Sequence, residues 1–129
     1  MAGTRTYAVR LDEVEWVDWN PPVPAAEDIL DGPLEMKIAI ASSSADGRFV
    51  QGVWRCNPAR CRLTQPWEET LVVLDGAMSY TPEGGPSARL EAGDIMVLDP
   101  GARYLVEVHE PVLAFWTMYS PDAPIDVHA

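Results

Sequence analysis

Apolar residues in this chain recur at every second position in short runs rich in Val, Ile, Leu, Trp and Tyr, and no run keeps helical spacing over the roughly ten residues a helix needs. That alternation predicts strands over residues 6–9, 34–42, 48–56, 60–64, 69–74, 77–81, 88–91, 94–98, 103–109 and 112–119. Turn clusters separate them at Ser43 to Gly47, Asn57-Pro58, Asp75-Gly76, Pro82 to Pro86, Ala92-Gly93 and Pro100-Gly101. Asp75-Gly76, set between two apolar runs, reads as a hairpin turn. Many short strands with no helices between them predict an all-β barrel or two-sheet sandwich and argue against alternating strands and helices. Residues 10–33 show no strand alternation and read as an arm wrapping the body, with one short helical turn near Ala25 to Leu30. The expected organisation is one domain, with residues 1–33 as an N-terminal strand and acidic arm packed on a barrel formed by residues 34–129.

A chain of 129 residues is long enough to bury a core without a disulfide or metal to hold it. Its formal net charge of -11 repels phosphate backbones and anionic lipid, which argues against nucleic acid and membrane surfaces as partners. Part of that charge is local: eight acids and no Lys or Arg lie between Leu11 and Met36, a run that reads as a solvated face. The N-terminus lacks the basic-then-apolar layout of a secretory signal and no apolar run is long enough to span a membrane, so a cytoplasmic location is expected. Cys56 and Cys61 flank a four-residue stretch that reads as a hairpin loop, which leaves open two free thiols, a disulfide or half of a metal site.

Two motifs change this picture. Gly52-Val-Trp54-Arg-Cys56-Asn-Pro58, then Glu68-Glu69 followed by Leu74-Asp-Gly76, and then Gly93 to Tyr104 with its Pro100-Gly101 turn, resemble the paired motifs of the cupins. Within them the likeness is to the subgroup of the ureidoglycine aminohydrolase cupin domain, and it covers residues 48–119. The resemblance implies a cupin-type jelly-roll β-barrel, and a homodimer formed through N-terminal strands and sheet faces. Metal-binding cupins of this kind carry His-x-His shortly before the motif glutamate and a further His late in the second motif. Here those positions read Arg62, Thr64 and Tyr104, so of the usual ligands only Glu69 remains. The chain's two histidines, His109 and His128, fall elsewhere, and neither a metal nor another cofactor is expected. A substitute metal site from Cys56, Cys61 and Glu69 stays open as an alternative.

Strand alternation gives Glu69 an inward direction shared with Leu71 and Val73. The motif implies that Arg62, Thr64 and Tyr104 also point inward, with Trp54, Trp116 and Met118 as walls of an apolar pocket. A carboxylate in such a place has three possible roles: a general base with raised pKa, half of a Glu69–Arg62 clamp that binds substrate, or a merely structural partner. The leading expectation is metal-independent acid–base catalysis of the lyase or isomerase type on a small organic substrate, an elimination, isomerisation or cyclisation at a carbon next to a carbonyl. Glu69 takes the proton, Tyr104 supports the oxyanion, Arg62 and Thr64 place the substrate, and Trp54, Trp116 and Met118 contact it. A ligand-binding module without turnover and a metal hydrolase with substitute ligands are the alternatives.

Overall fold

The computed structural model describes residues 6–18 and 24–125. Nine strands run through these residues: β1 (Val17–Asp18), β2 (Ile29–Asp31), β3 (Met36–Ser43), β4 (Phe49–Cys56), β5 (Ala59–Thr64), β6 (Glu68–Pro82), β7 (Ala88–Glu91), β8 (Ile95–Leu98) and β9 (Arg103–Tyr119). A single 3-10 turn, Ala26–Asp28, is the only helical element among them and falls where the short helical turn is expected.

Two long strands build the barrel. All pairings are antiparallel, and β6 runs beside β9 along nearly its whole length, from Glu68 opposite Tyr119 to Pro82 opposite Tyr104. On its other edge β9 pairs with β4 over residues 112–119 and with β5 over residues 103–108. The other edge of β6 is likewise divided, with β8 against residues 69–72 and β7 against residues 77–80. Each long strand thus serves two sheets, one ordered β1-β3-β4-β9-β6-β8 and the other β2-β5-β9-β6-β7. The sheets share their middle strands and fold over one another into the jelly roll.

The fold is made at the bend. Register shifts between Val73 and Met78 mark β-bulges, and Gly76 sits there at φ 88°. A Cβ on Gly76 would collide with the Pro111 carbonyl of β9, so this crossing needs glycine both for its conformation and for its close approach. The expected hairpin at Asp75-Gly76 is therefore corrected: residues 69–74 and 77–81 are two halves of one strand, as are residues 103–109 and 112–119. A glycine of positive φ suits a bulge as well as a turn, and here each flanking run finds its partner in β9.

The Cys56-to-Cys61 stretch is not a hairpin loop either, because β4 and β5 pair with different halves of β9 and not with each other. Both cysteines are buried free thiols, and burial pushes Cys56 up to about 12 and Cys61 to about 11. They stay protonated and unreactive at neutral pH. Residues 6–9 form no strand; Tyr7 instead donates its hydroxyl to the Ala41 carbonyl at 2.9 Å. The arm contributes edges to the body, β1 to β3 and β2 to β5, and Asp28 meets Arg103 at 2.6 Å. Among the described residues no helix is long and apolar enough to cross a membrane.

Candidate functional site

Between the two sheets lies a cavity whose walls come from both. Trp54, Glu69, Leu71, Leu98, Ala114 and Trp116 line it from one sheet; Leu63, Tyr80 and Tyr104 line it from the other, with Gln65 at the end of β5. Glu69 stands opposite Leu98 on β8 and Met118 on β9, so apolar side chains flank it across both neighbouring strands. It is only 6 % exposed and has no hydrogen bond or ion pair among the described residues. Burial alone pushes its carboxyl up to about 8, because a charged carboxylate there forfeits its hydration with no cation in return. Tyr80 is raised well above the usual phenol range, first by burial and then by the nearby Glu69 carboxyl. Its ring meets that of Tyr104 edge to face, 5.8 Å between centroids.

Tight packing defines the remaining surfaces. Trp116 lies opposite Gly52, where a Cβ would come within 2.8 Å of the indole, so the glycine of the first motif makes room for the ring. Gln65 spends its side-chain amide on the Trp67 carbonyl at 3.0 Å. The space that remains leaves the centre of a water molecule about 20 Å³, room for roughly one water.

Five of the candidate site residues lie together: Glu69, Tyr104, Trp54 and Trp116 line the cavity, and Met118 is buried opposite Glu69. Arg62 and Thr64 do not join them. Both are exposed, because β5 turns Cys61 inward and Leu63 toward the cavity, which sends the alternate residues to the outer face. The clamp between Arg62 and Glu69 therefore does not form, and a one-residue difference in facing decides it. The apolar-polar order Cys61-Arg-Leu63-Thr already carried that signal.

Tyr80 is a site residue that the sequence reading missed. Alternation from Glu69 runs through odd positions, but the bulge at Gly76 shifts the phase, so Met78 and Tyr80 turn inward beyond it.

The donor set does not fit the metal centre that the resemblance implies. Of the three histidine positions, two hold outward residues and the third holds Tyr104, and among the described residues no three of His, Cys, Asp or Glu converge on a point. Cys56, Cys61 and Glu69 form no substitute site. His109 is exposed, its Nε2 lying 2.8 Å from Ser79 Oγ, while His128 lies outside the described residues. Trp16 takes no part in the cavity; it packs under the Arg55 guanidinium, 4.3 Å from the ring centre, in an open groove on the outer face.

Comparison with known proteins agrees with this architecture. No curated protein matches the chain. Among solved structures, the ethanolamine utilization protein Q of Salmonella typhimurium, described as putative, superposes with a TM-score of 0.59 at 20% identity, covering 66% of this chain and 69% of its own. The Clostridium difficile EutQ protein gives a TM-score of 0.62 at 15% identity, covering 78% and 82%. A DUF861 family protein of Thermotoga maritima gives 0.50 at 25% identity, covering 52% and 76%. The EutQ-like cupin domain family matches residues 43–113, more than half of the sequence and the part that carries β4 to the bend of β9, so the chain belongs to that cupin family.

Proposed function

We propose that the barrel interior is a metal-independent acid–base site for a small organic molecule, with Glu69 moving the proton. One observation carries this reading: a buried carboxyl with no partner among the described residues stands on the wall of an enclosed cavity beside two phenols. A structural role would pair such a group, since an unpaired buried carboxyl costs stability at every pH at which it ionises. With its pKa at about 8, roughly a tenth of Glu69 is ionised at pH 7, so the group both accepts and donates protons near neutrality.

In the proposed reaction Glu69 carboxylate takes a proton from a carbon next to a carbonyl. The C–H electron pair moves into a new C=C bond, the carbonyl π pair moves to oxygen, and Tyr104 donates a hydrogen bond to the oxyanion. Collapse of that enolate by loss of a leaving group or by return of the proton at another carbon completes an elimination or an isomerisation. Trp54, Trp116 and Met118 form the apolar wall that keeps water out. Arg62 and Thr64 have no place in this scheme because they face away.

The test is exchange of substrate α-hydrogens for deuterium across a series of small aldehydes, ketones and amides. The protein is expected to catalyse exchange at a rate that rises with pH and levels off above about 8. Glu69→Gln is expected to lose at least ~100-fold while melting as a folded protein. The cavity's size favours a second reading, a sensor or carrier for a ligand of very few atoms, and binding without any exchange would select it.

The proposal includes a homodimer. The edge strand β8 supports it, since among the described residues it pairs only with β6 and exposes Ile95 at 65% and Val97 at 61%. Sedimentation of the wild type against Val97→Lys checks it, and a monomeric wild type would reject it.

A further inference from the structure

Two more polar groups on the cavity wall have no task in this chemistry. Trp54 and Trp116 are 4% and 2% exposed, and neither indole Nε1 has a hydrogen-bond partner among the described residues. An indole N–H is a donor only, and leaving one buried without an acceptor forfeits its hydration with nothing in return. Native folds leave few such groups, yet here both belong to residues that line one cavity.

Their placement is ordered. Across β4, β9 and β6, Trp54 and Ala114 share a row with Val73, Trp116 shares the next with Leu71, and Met118 shares the third with Glu69. Both indoles and the unpartnered carboxyl therefore occupy three successive rows of one inner face. Metal sites are walled by acceptors, whereas these two indoles bring donors alone.

We propose that Trp54 and Trp116, together with Glu69, make the interior an acceptor-selective site that takes the carbonyl or carboxylate oxygen of a small ligand and rejects cations. This rests on the reading of the interior as a small-molecule site and names its ligand class. Tyr104 supplies a third donor within the same walls. The carbonyl oxygen then lies where the indoles receive it, and Glu69 is left to act on the adjoining carbon. A ligand larger than a water displaces the indoles as it enters, which makes their N–H groups direct reporters of binding.

The full-length protein, labelled with 15N, gives one indole resonance for each of its five tryptophans. Trp54→Phe and Trp116→Phe assign the two of interest, and through-bond correlation in the wild type assigns them if either variant fails to fold. Three probes are titrated: acetamide as a neutral carbonyl, acetate as an anion and methylammonium as a cation. Saturable shifts of both resonances with acetamide or acetate, and none with methylammonium, are expected. Unmoved resonances with both oxygen probes, or equal movement with methylammonium, overturn the proposal. The readout needs no turnover, so it separates from the acid–base reading. Indole shifts without Glu69-dependent deuterium exchange uphold the acceptor site and reject that chemistry; exchange with unmoved indoles does the reverse.

Discussion

The groove under the N-terminal arm and the cavity between the sheets differ in opposite directions. The groove is the larger, about 580 Å³, and is lined by Leu11, Trp16, Lys37, Arg55, Asp75 and Pro111 among others. Its two cations are engaged: Lys37 meets Asp18 at 2.5 Å and Arg55 lies over Trp16. The interior cavity has room for about one water, yet its lining residues include a carboxyl and two indole donors with no partners among the described residues. Volume alone would choose the groove. Unmet hydrogen-bonding capacity chooses the interior, because groups that are already paired or bathed in water have little free energy left to give a ligand.

The strongest way to break this contrast is Glu69→Gln. Because the folded carboxyl holds its proton up to about 8 and the unfolded one releases it near 4.5, the native state binds more protons throughout that window. Stability from this group is complete below about pH 4.5 and lost as pH rises through about 8, a total of about 5 kcal/mol for a shift of this size. Urea unfolding at pH 5 and pH 9 is expected to show this fall in the wild type and its absence in the glutamine variant. A wild type with no such slope would mean that the carboxyl is paired after all.

Next in size is Gly76→Ala, expected to cost about 3 kcal/mol by denaturant unfolding, since the new methyl meets the Pro111 carbonyl at a positive-φ position. A neutral result would detach the bend from the making of the cavity. Tyr104→Phe is expected to lower the proposed exchange rate by ~10- to 100-fold while changing stability by about 1 kcal/mol or less, measured by kinetics and melting together. On the groove side, Arg55→Ala should cost only about 0.5–1 kcal/mol, the worth of an exposed cation–π contact, and should leave exchange unchanged. Arg62→Ala is the smallest, within about 0.5 kcal/mol and without effect on turnover. A large loss of activity there would restore the clamp that the observed facing denies.

Much of the site was legible from residue order. Glu69 with Leu71 and Val73, and Tyr104 with Val106 and Val108, follow a period of two and are buried as that period requires. Trp54, Trp116 and Met118 are buried in the same way. Arg62 and Thr64 were misplaced where a motif's ligand positions were preferred over the chain's own alternation. Tyr80 was missed for a different reason: the register shifts between Val73 and Met78 invert the facing of the residues after them, and local patterning carries no count of such irregularities.

Residue order by itself determined that this chain is all-β, where most of its strand segments lie, and that the Glu69 carboxyl faces inward, because alternation and turn chemistry are local properties. Only the tertiary structure decided that Asp75-Gly76 bends a strand instead of ending it, that Arg62 faces outward, and that Trp54, Trp116 and Glu69 line one cavity. Those outcomes depend on which edges of β6 and β9 find partners, a competition among distant segments in which backbone pairing and burial across the whole barrel outweigh the preference of any single turn.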